Sequence, residues 1–213
     1  GGVAQVWTVD AAGGYPQLVT AFDDAVGGVQ WSPDGKWLAF SLAPGGGMNV
    51  QVYLVRPDGS GAKRLTDGGK ETNGLGPWSY DGSLLVTTSN KRSGAAIDPY
   101  LYGVADGASR MVLANTGVGG FDDLTRDNRL GLMNRLVNRG DNNLYVVDLA
   151  TGRETLITPH TGPGSFGGAF SPDGRSVYLS TDSGRDLTAF ARLELTAAGG
   201  PGRTTVLAER PDA

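Results

Sequence analysis

The sequence predicts an all-β fold, a β-propeller of four-stranded antiparallel blades, on three observations. The first is glycine: 35 of 213 residues, far above the usual ~7%. These glycines separate short apolar segments such as "GGVQWS", "WLAFSL" and "VYLV", a placement that serves tight turns rather than disorder. The second is that no long stretch carries the 3.6-residue apolar period of an amphipathic helix. The third is a repeat. "WSPDG" begins at Trp31, "WSYDG" at Trp78, 47 residues on, and "FSPDG" at Phe170, a further 92, which is twice 46.

A copy is therefore due near 124. There the chain reads "LTRDNRLGL", with Leu124 in the aromatic slot, Asp127 in the Asp slot and Asn128 in place of glycine. Asparagine is the next most tolerant residue at positive φ, so the same turn is expected in degenerate form. A second ladder runs through "VWTVD", "VYLVR", "LYGVA", "LYVVD" and "FARLE", with slots at Trp7, Tyr53, Tyr102, Tyr145 and Ala191 spaced by 46, 49, 43 and 46. Two motifs on one period mean one structural unit repeated, and a period of 40 to 50 residues with about four strands fits a propeller blade.

Each unit reads as strand a ("GGVQWS"), a Pro-Asp-Gly hairpin, strand b ("WLAFSL"), a looser loop, strand c ("VYLV"), a turn and strand d ("KRLT"). That places four blades near 27–68, 74–114, 119–158 and 166–208, after a half blade over 1–22 that supplies only strands c and d. About four and a half blades, with the tail "ERPDA" as a linker, predict a piece of a larger propeller, because neighbouring blades must stack to bury their faces. Trp31, Trp78 and Phe170 are expected to pack between adjacent inner strands, with Trp31→Ala costing roughly 3–5 kcal/mol. Asp34, Asp81 and Asp173 are expected to accept backbone N–H bonds inside their turns.

Composition excludes several function classes. With 18 Lys+Arg against 22 Asp+Glu the net charge is −4, and no basic stripe offers itself to nucleic acid. There is no cysteine, hence no disulfide, thiolate catalysis or thiolate metal site, while the compartment stays open. No apolar run approaches the ~18 residues of a membrane span, and the N-terminus has no signal-peptide layout.

Chemistry-bearing motifs are few. A nucleophile elbow needs Gly-x-Ser-x-Gly, and "GPGSFGG" around Ser165 has Pro163 where the first glycine should stand. His160 is the one histidine and reads as an ordinary loop residue rather than a catalytic base. Asp23-Asp24 and Asp122-Asp123 read as solvated loop ends, since neighbours on a strand point to opposite faces. "NRGDNN", Asn138 to Asn143, lacks the alternate acidic spacing of a calcium loop. No catalytic residue, cofactor or metal is expected in this chain.

"WSPDGKWLAF", "VYLVRPDGSGAKRLTDG", "LYVVDLATGRETLITPHTG" and "FGGAFSPDGRSVYLSTDSGRD" resemble the N-terminal propeller of the prolyl oligopeptidase family of serine peptidases, especially its acylaminoacyl-peptidase and dipeptidyl-peptidase relatives. "SPDG" and "RLT" are equally at home in TolB-type periplasmic propellers, whereas "TPHTG" followed by "STDSGRD" leans toward the peptidases. The resemblance implies a propeller that covers an α/β-hydrolase domain, screens peptides by size and helps to hold them. It also implies a Ser-Asp-His triad on that hydrolase, which is not in this chain. The paired glutamates of the dipeptidyl-peptidase branch have no counterpart, because Glu71, Glu154, Glu194 and Glu209 are widely separated.

Function should then sit on loops. The b-to-c and d-to-a connections share one face, and the b-to-c segments "APGGGMN", "NKRSGAAID", "NRGDNN" and "DSGRD" carry Lys91, Arg92, Arg139, Asp141, Arg185 and Asp186 as candidate partner-facing residues. Two readings follow: the noncatalytic, gating propeller of a prolyl-oligopeptidase-like peptidase docked on a hydrolase domain, or a TolB-like scaffold that binds another protein. In either, the chain alone hydrolyses nothing.

Overall fold

The computed structural model describes residues 2–210. A two-stranded antiparallel sheet comes first, β1 (Trp7–Thr8) with β2 (Gln17–Leu18). Four four-stranded sheets follow, each meandering in sequence order. Blade 1 holds β3 (Val26–Trp31), β4 (Leu38–Leu42), β5 (Gln51–Val55) and β6 (Lys63–Arg64). Blade 2 holds β7 (Asn73–Trp78), β8 (Leu84–Ser89), β9 (Asp98–Gly103) and β10 (Ser109–Met111). Blade 3 holds β11 (Gly119–Leu124), β12 (Leu130–Asn138), β13 (Asp141–Asp148) and β14 (Glu154–Leu156). Blade 4 holds β15 (Phe166–Phe170), β16 (Ser176–Thr181), β17 (Ala189–Leu195) and β18 (Pro201–Ala208). First strands face one another across the seams, β11 lying against both β7 and β15, as the inner strands of a propeller do.

The repeated turn is held by the residues that make it recognisable. The Ser32 hydroxyl donates to Asp34 Oδ1 at 2.7 Å, the Lys36 N–H donates to the same oxygen, and the Trp37 N–H donates back to Ser32 Oγ. Ser79 with Asp81, Thr125 with Asp127 and Ser171 with Asp173 repeat the pattern at 2.6 Å. Stabilising the anion in this way lowers each carboxyl: the Ser32 and Ser79 hydroxyls, with turn N–H groups, hold Asp34 and Asp81 down to about 2. Asn128 takes the left-handed conformation at φ 56, where the other copies use glycine, so the degenerate third turn closes like the rest.

Burial is organised by seams rather than by blades. Ala39, Val52 and Leu54 of blade 1 meet Trp78, Leu85 and Val104 of blade 2. Val86 and Leu101 meet Leu124, Met133 and Leu149 in the next seam, and Leu132, Leu144 and Val146 meet Phe170, Val177 and Leu193 in the last. Strands therefore bury one side chain toward each neighbouring blade, which is why their apolar runs are near-continuous.

Three expectations are corrected. Trp31 is 52% exposed, against 8% for Trp78 and 5% for Phe170; the aromatic slot faces back toward the preceding sheet, and the two-stranded β1–β2 sheet lacks the strands that in blade 1 bring Ala39, Val52 and Leu54 against Trp78. Asp123 is buried rather than solvated. A register shift between Phe121 and Asp123 turns its carboxylate inward, where Oδ1 accepts its own neighbour Leu124 N–H and Oδ2 accepts Phe170 N–H of blade 4, both at 2.8 Å. Finally, strand registers pair Phe40 with Tyr53, Thr87 with Tyr100, Met133 with Tyr145 and Leu179 with Ala191, so the second ladder runs through Tyr100 rather than Tyr102.

Candidate functional site

The a-to-b and c-to-d turns lie on one edge of the blades, the turn face, and the b-to-c and d-to-a connections on the other, the loop face. Four of the six candidate side chains on the loop face are tied to the protein itself. Lys91 makes an ion pair with Asp67, linking the b-to-c segment of blade 2 to the connection that leaves blade 1. Arg92 forks onto Asp98, Nε to Oδ2 at 2.7 Å and Nη2 to Oδ1 at 2.8 Å, and also donates to the Asn115 carbonyl. Asp98 is wholly buried, so the pair must be complete: an unpartnered buried carboxylate would be costly. The chain continues across the seam, because the Arg135 Nε donates to Asn115 Oδ1 at 2.7 Å and the Arg135 fork holds Glu154. Arg185 pairs with Glu209.

Asp141 is engaged by His160. The His160 Nε2 lies 3.0 Å from Asp141 Oδ1, its Nδ1 lies 2.8 Å from the Thr158 carbonyl, and its ring tilts against Phe166. The Thr158 carbonyl, then Asp141, raise the His160 pKa, because both favour the doubly protonated ring. With both ring nitrogens committed, neither is available to a serine hydroxyl. Ser165, on the same face, has its backbone N–H on Asp182. Among the described residues no group of three or more His, Cys, Asp or Glu is placed to hold a metal ion.

Arg139 and Asp186 make no side-chain hydrogen bond or ion pair among the described residues. Arg139 sits at the tip of the most extended hairpin of the molecule, nine residues of β12 and eight of β13 joined through Arg139 and Gly140. Gly140 has φ 87 while Arg139 does not share a positive φ, the pattern of a type II turn, whose second central residue needs one. Just below the tip Leu136 and Val137 are exposed, beside exposed Val118, whose carbonyl accepts the Leu136 N–H. Three exposed aliphatic side chains near a guanidinium that pairs with nothing among the described residues have the composition of a contact surface.

Sequence reasoning missed Leu136 and Val137, having read "NRGDNN" as irregular loop. The signal was available: "MNRLV" and "NNLYV" flank Arg-Gly with unbroken strand residues, which is a hairpin with a two-residue turn.

Solved structures share this architecture. TolB from Acinetobacter baumannii matches 98% of the chain and 49% of its own length at 21% identity, TM-score 0.60. An oligogalacturonate lyase in complex with manganese matches 91% of the chain and 55% of its own length at 18% identity, TM-score 0.75. A prolyl endopeptidase matches 97% of the chain and 33% of its own length at 14% identity, TM-score 0.74. What they share with this chain is the β-propeller. The chain spans about half the length of the first two and a third of the last. In sequence, an uncharacterized protein of Agrobacterium fabrum is 34% identical over 65 residues, 30% of this chain and 22% of that protein. No protein-family model matches.

Proposed function

We propose that this chain is a noncatalytic propeller scaffold that docks on a protein through its loop face, with the β12–β13 hairpin as the principal contact. The observation that carries the reading is the exposure of Leu136, Val137 and Arg139 on the hairpin with the longest strands among the described residues, on a face whose other candidate charges are mostly occupied within the protein. Apolar side chains next to an arginine, presented by a rigid element, concentrate binding energy at little ordering cost. The likeness to TolB supports a scaffold whose partner is a separate protein.

A second reading makes that partner an α/β-hydrolase domain, with the propeller gating peptide access to a prolyl-oligopeptidase-like active site. The likeness to prolyl endopeptidases over 97% of the chain favours it. A photo-crosslinking residue at Val137 of the full-length protein in its source cells separates them. A discrete adduct at Val137, absent when the crosslinker stands at Ala150 on the turn face, is the expected result. An adduct within the same polypeptide selects the hydrolase reading, one to another chain the scaffold reading. Equal labelling from both positions, or none from Val137, contradicts both.

A further inference from the structure

The turn face carries a second feature, independent of the loop face. Between blades 3 and 4 lies a cleft of about 730 Å³, within the range of small-molecule sites. Its floor is Leu130, Val146 and Leu195 and its rim includes Arg126, Arg129, Arg153 and Arg175.

The repeat brings one residue of each blade to this level of the seam. The residue five places after the turn Ser or Thr closes the hairpin with its backbone and points into the seam with the next blade. In blade 1 that residue is Trp37, packed among the side chains of the first seam and covered by Arg56 at 4.7 Å and Lys63 at 5.3 Å from its ring centre. In blades 2 and 3 it is a leucine, Leu84 and Leu130.

None of the four guanidinium groups makes a side-chain hydrogen bond or ion pair among the described residues, while six other Lys and Arg residues form ion pairs. Arg126 rests over the Tyr80 ring at 5.4 Å. On the same rim, Asp127 and Asp173 accept from their turn hydroxyls and N–H groups, and Asp148 from the Ala150 and Thr151 N–H groups and the Thr151 hydroxyl, in each case through Oδ1. Four guanidinium groups against three carboxylates leave the rim with an excess of positive charge.

We propose that this cleft binds a small multivalent oxyanion, a polycarboxylate or polyphosphate, between the arginines of its rim. Planar guanidinium groups grip both kinds of oxyanion through paired N–H bonds.

Calorimetric titration of the protein with citrate and with inorganic pyrophosphate tests this. At least one probe is expected to bind with a dissociation constant below about 1 mM, weakening roughly tenfold or more in Arg129→Gln/Arg175→Gln. Arg110→Gln, an exposed arginine on β10 outside the cleft, is the control for losing an arginine elsewhere on the surface and should leave affinity unchanged. Because all three arginines are exposed, their variants should keep the parent's circular dichroism. The tighter probe identifies carboxylate or phosphate as the chemistry. No binding by either up to about 10 mM, or an equal loss in the Arg110 control, overturns the proposal.

Discussion

Trp31 and Trp78 stand at the same place in the same hairpin, one in "WSPDG" and the other in "WSYDG", yet one is half exposed and the other buried. Their own blades treat them alike: Trp31 pairs with Leu38 and Trp78 with Leu85 at the start of the second strand. The difference lies in the preceding sheet, which is four-stranded before Trp78 and two-stranded before Trp31. In a propeller, an inner-strand aromatic is stabilised by the neighbour it leans on, so identical local sequence yields unequal energetic weight.

The largest way to break that comparison is truncation. Trp78→Ala is expected to cost about 3–5 kcal/mol, as for a large aromatic removed from a packed core. Trp31→Ala should cost under about 1 kcal/mol, typical of a surface substitution. Urea melts of the two variants side by side decide it, and equal losses would show that Trp31 is supported as well as Trp78.

A smaller effect is expected from the adjacent carboxylates. Asp123→Ala strands the Phe170 and Leu124 N–H groups in the seam and should cost about 1–3 kcal/mol. Asp24→Ala, which removes one exposed bond to the Gly45 N–H, should fall within about 0.5 kcal/mol of the parent. A loss at Asp24 matching that at Asp123 would mean that burial across the seam is not what distinguishes them.

The smallest effect is on pH dependence. Asp81 is held at about 2 in the folded chain against an ordinary value of 3.8, so it binds fewer protons folded than unfolded. The stability it lends is complete above pH about 4 and drains away as the pH falls toward about 2. Burial moves Asp123 the other way, upward, so its contribution declines as the pH rises above its unfolded value. Asp81→Asn should therefore flatten the acid limb of a stability profile and Asp123→Asn should not. Acid limbs of unchanged steepness in Asp81→Asn would show that the turn carboxylate is not anionic by virtue of the fold.

What could be read from the sequence divides along the same line. The turns were visible because Ser, Asp and Gly, or Thr, Asp and Asn, bond within five residues, and the blade order followed from their period. Exposure of Trp31 was not visible, because it depends on a sheet whose strands contribute nothing to its own hairpin. Asp123 was misread because a one-residue shift in register turned its side chain inward. At the loop face the residue types were visible but their pairing was not: Arg92 and Asp98 are six residues apart, yet the bond that fixes them draws on Asn115 from the next strand connection. The cleft was hidden because only the fold brings Arg129 and Leu130 of blade 3 beside Arg175 and Leu195 of blade 4.

Docking through the β12–β13 hairpin is tested most directly by the size of the full-length protein in extracts of its source cells. By size-exclusion chromatography, the parent should elute in an assembly larger than the protein alone, and Leu136→Asp/Val137→Asp should elute at the size of the protein alone with its folding unchanged. If the folded double variant still elutes with the parent's assembly, the hairpin is not the docking surface.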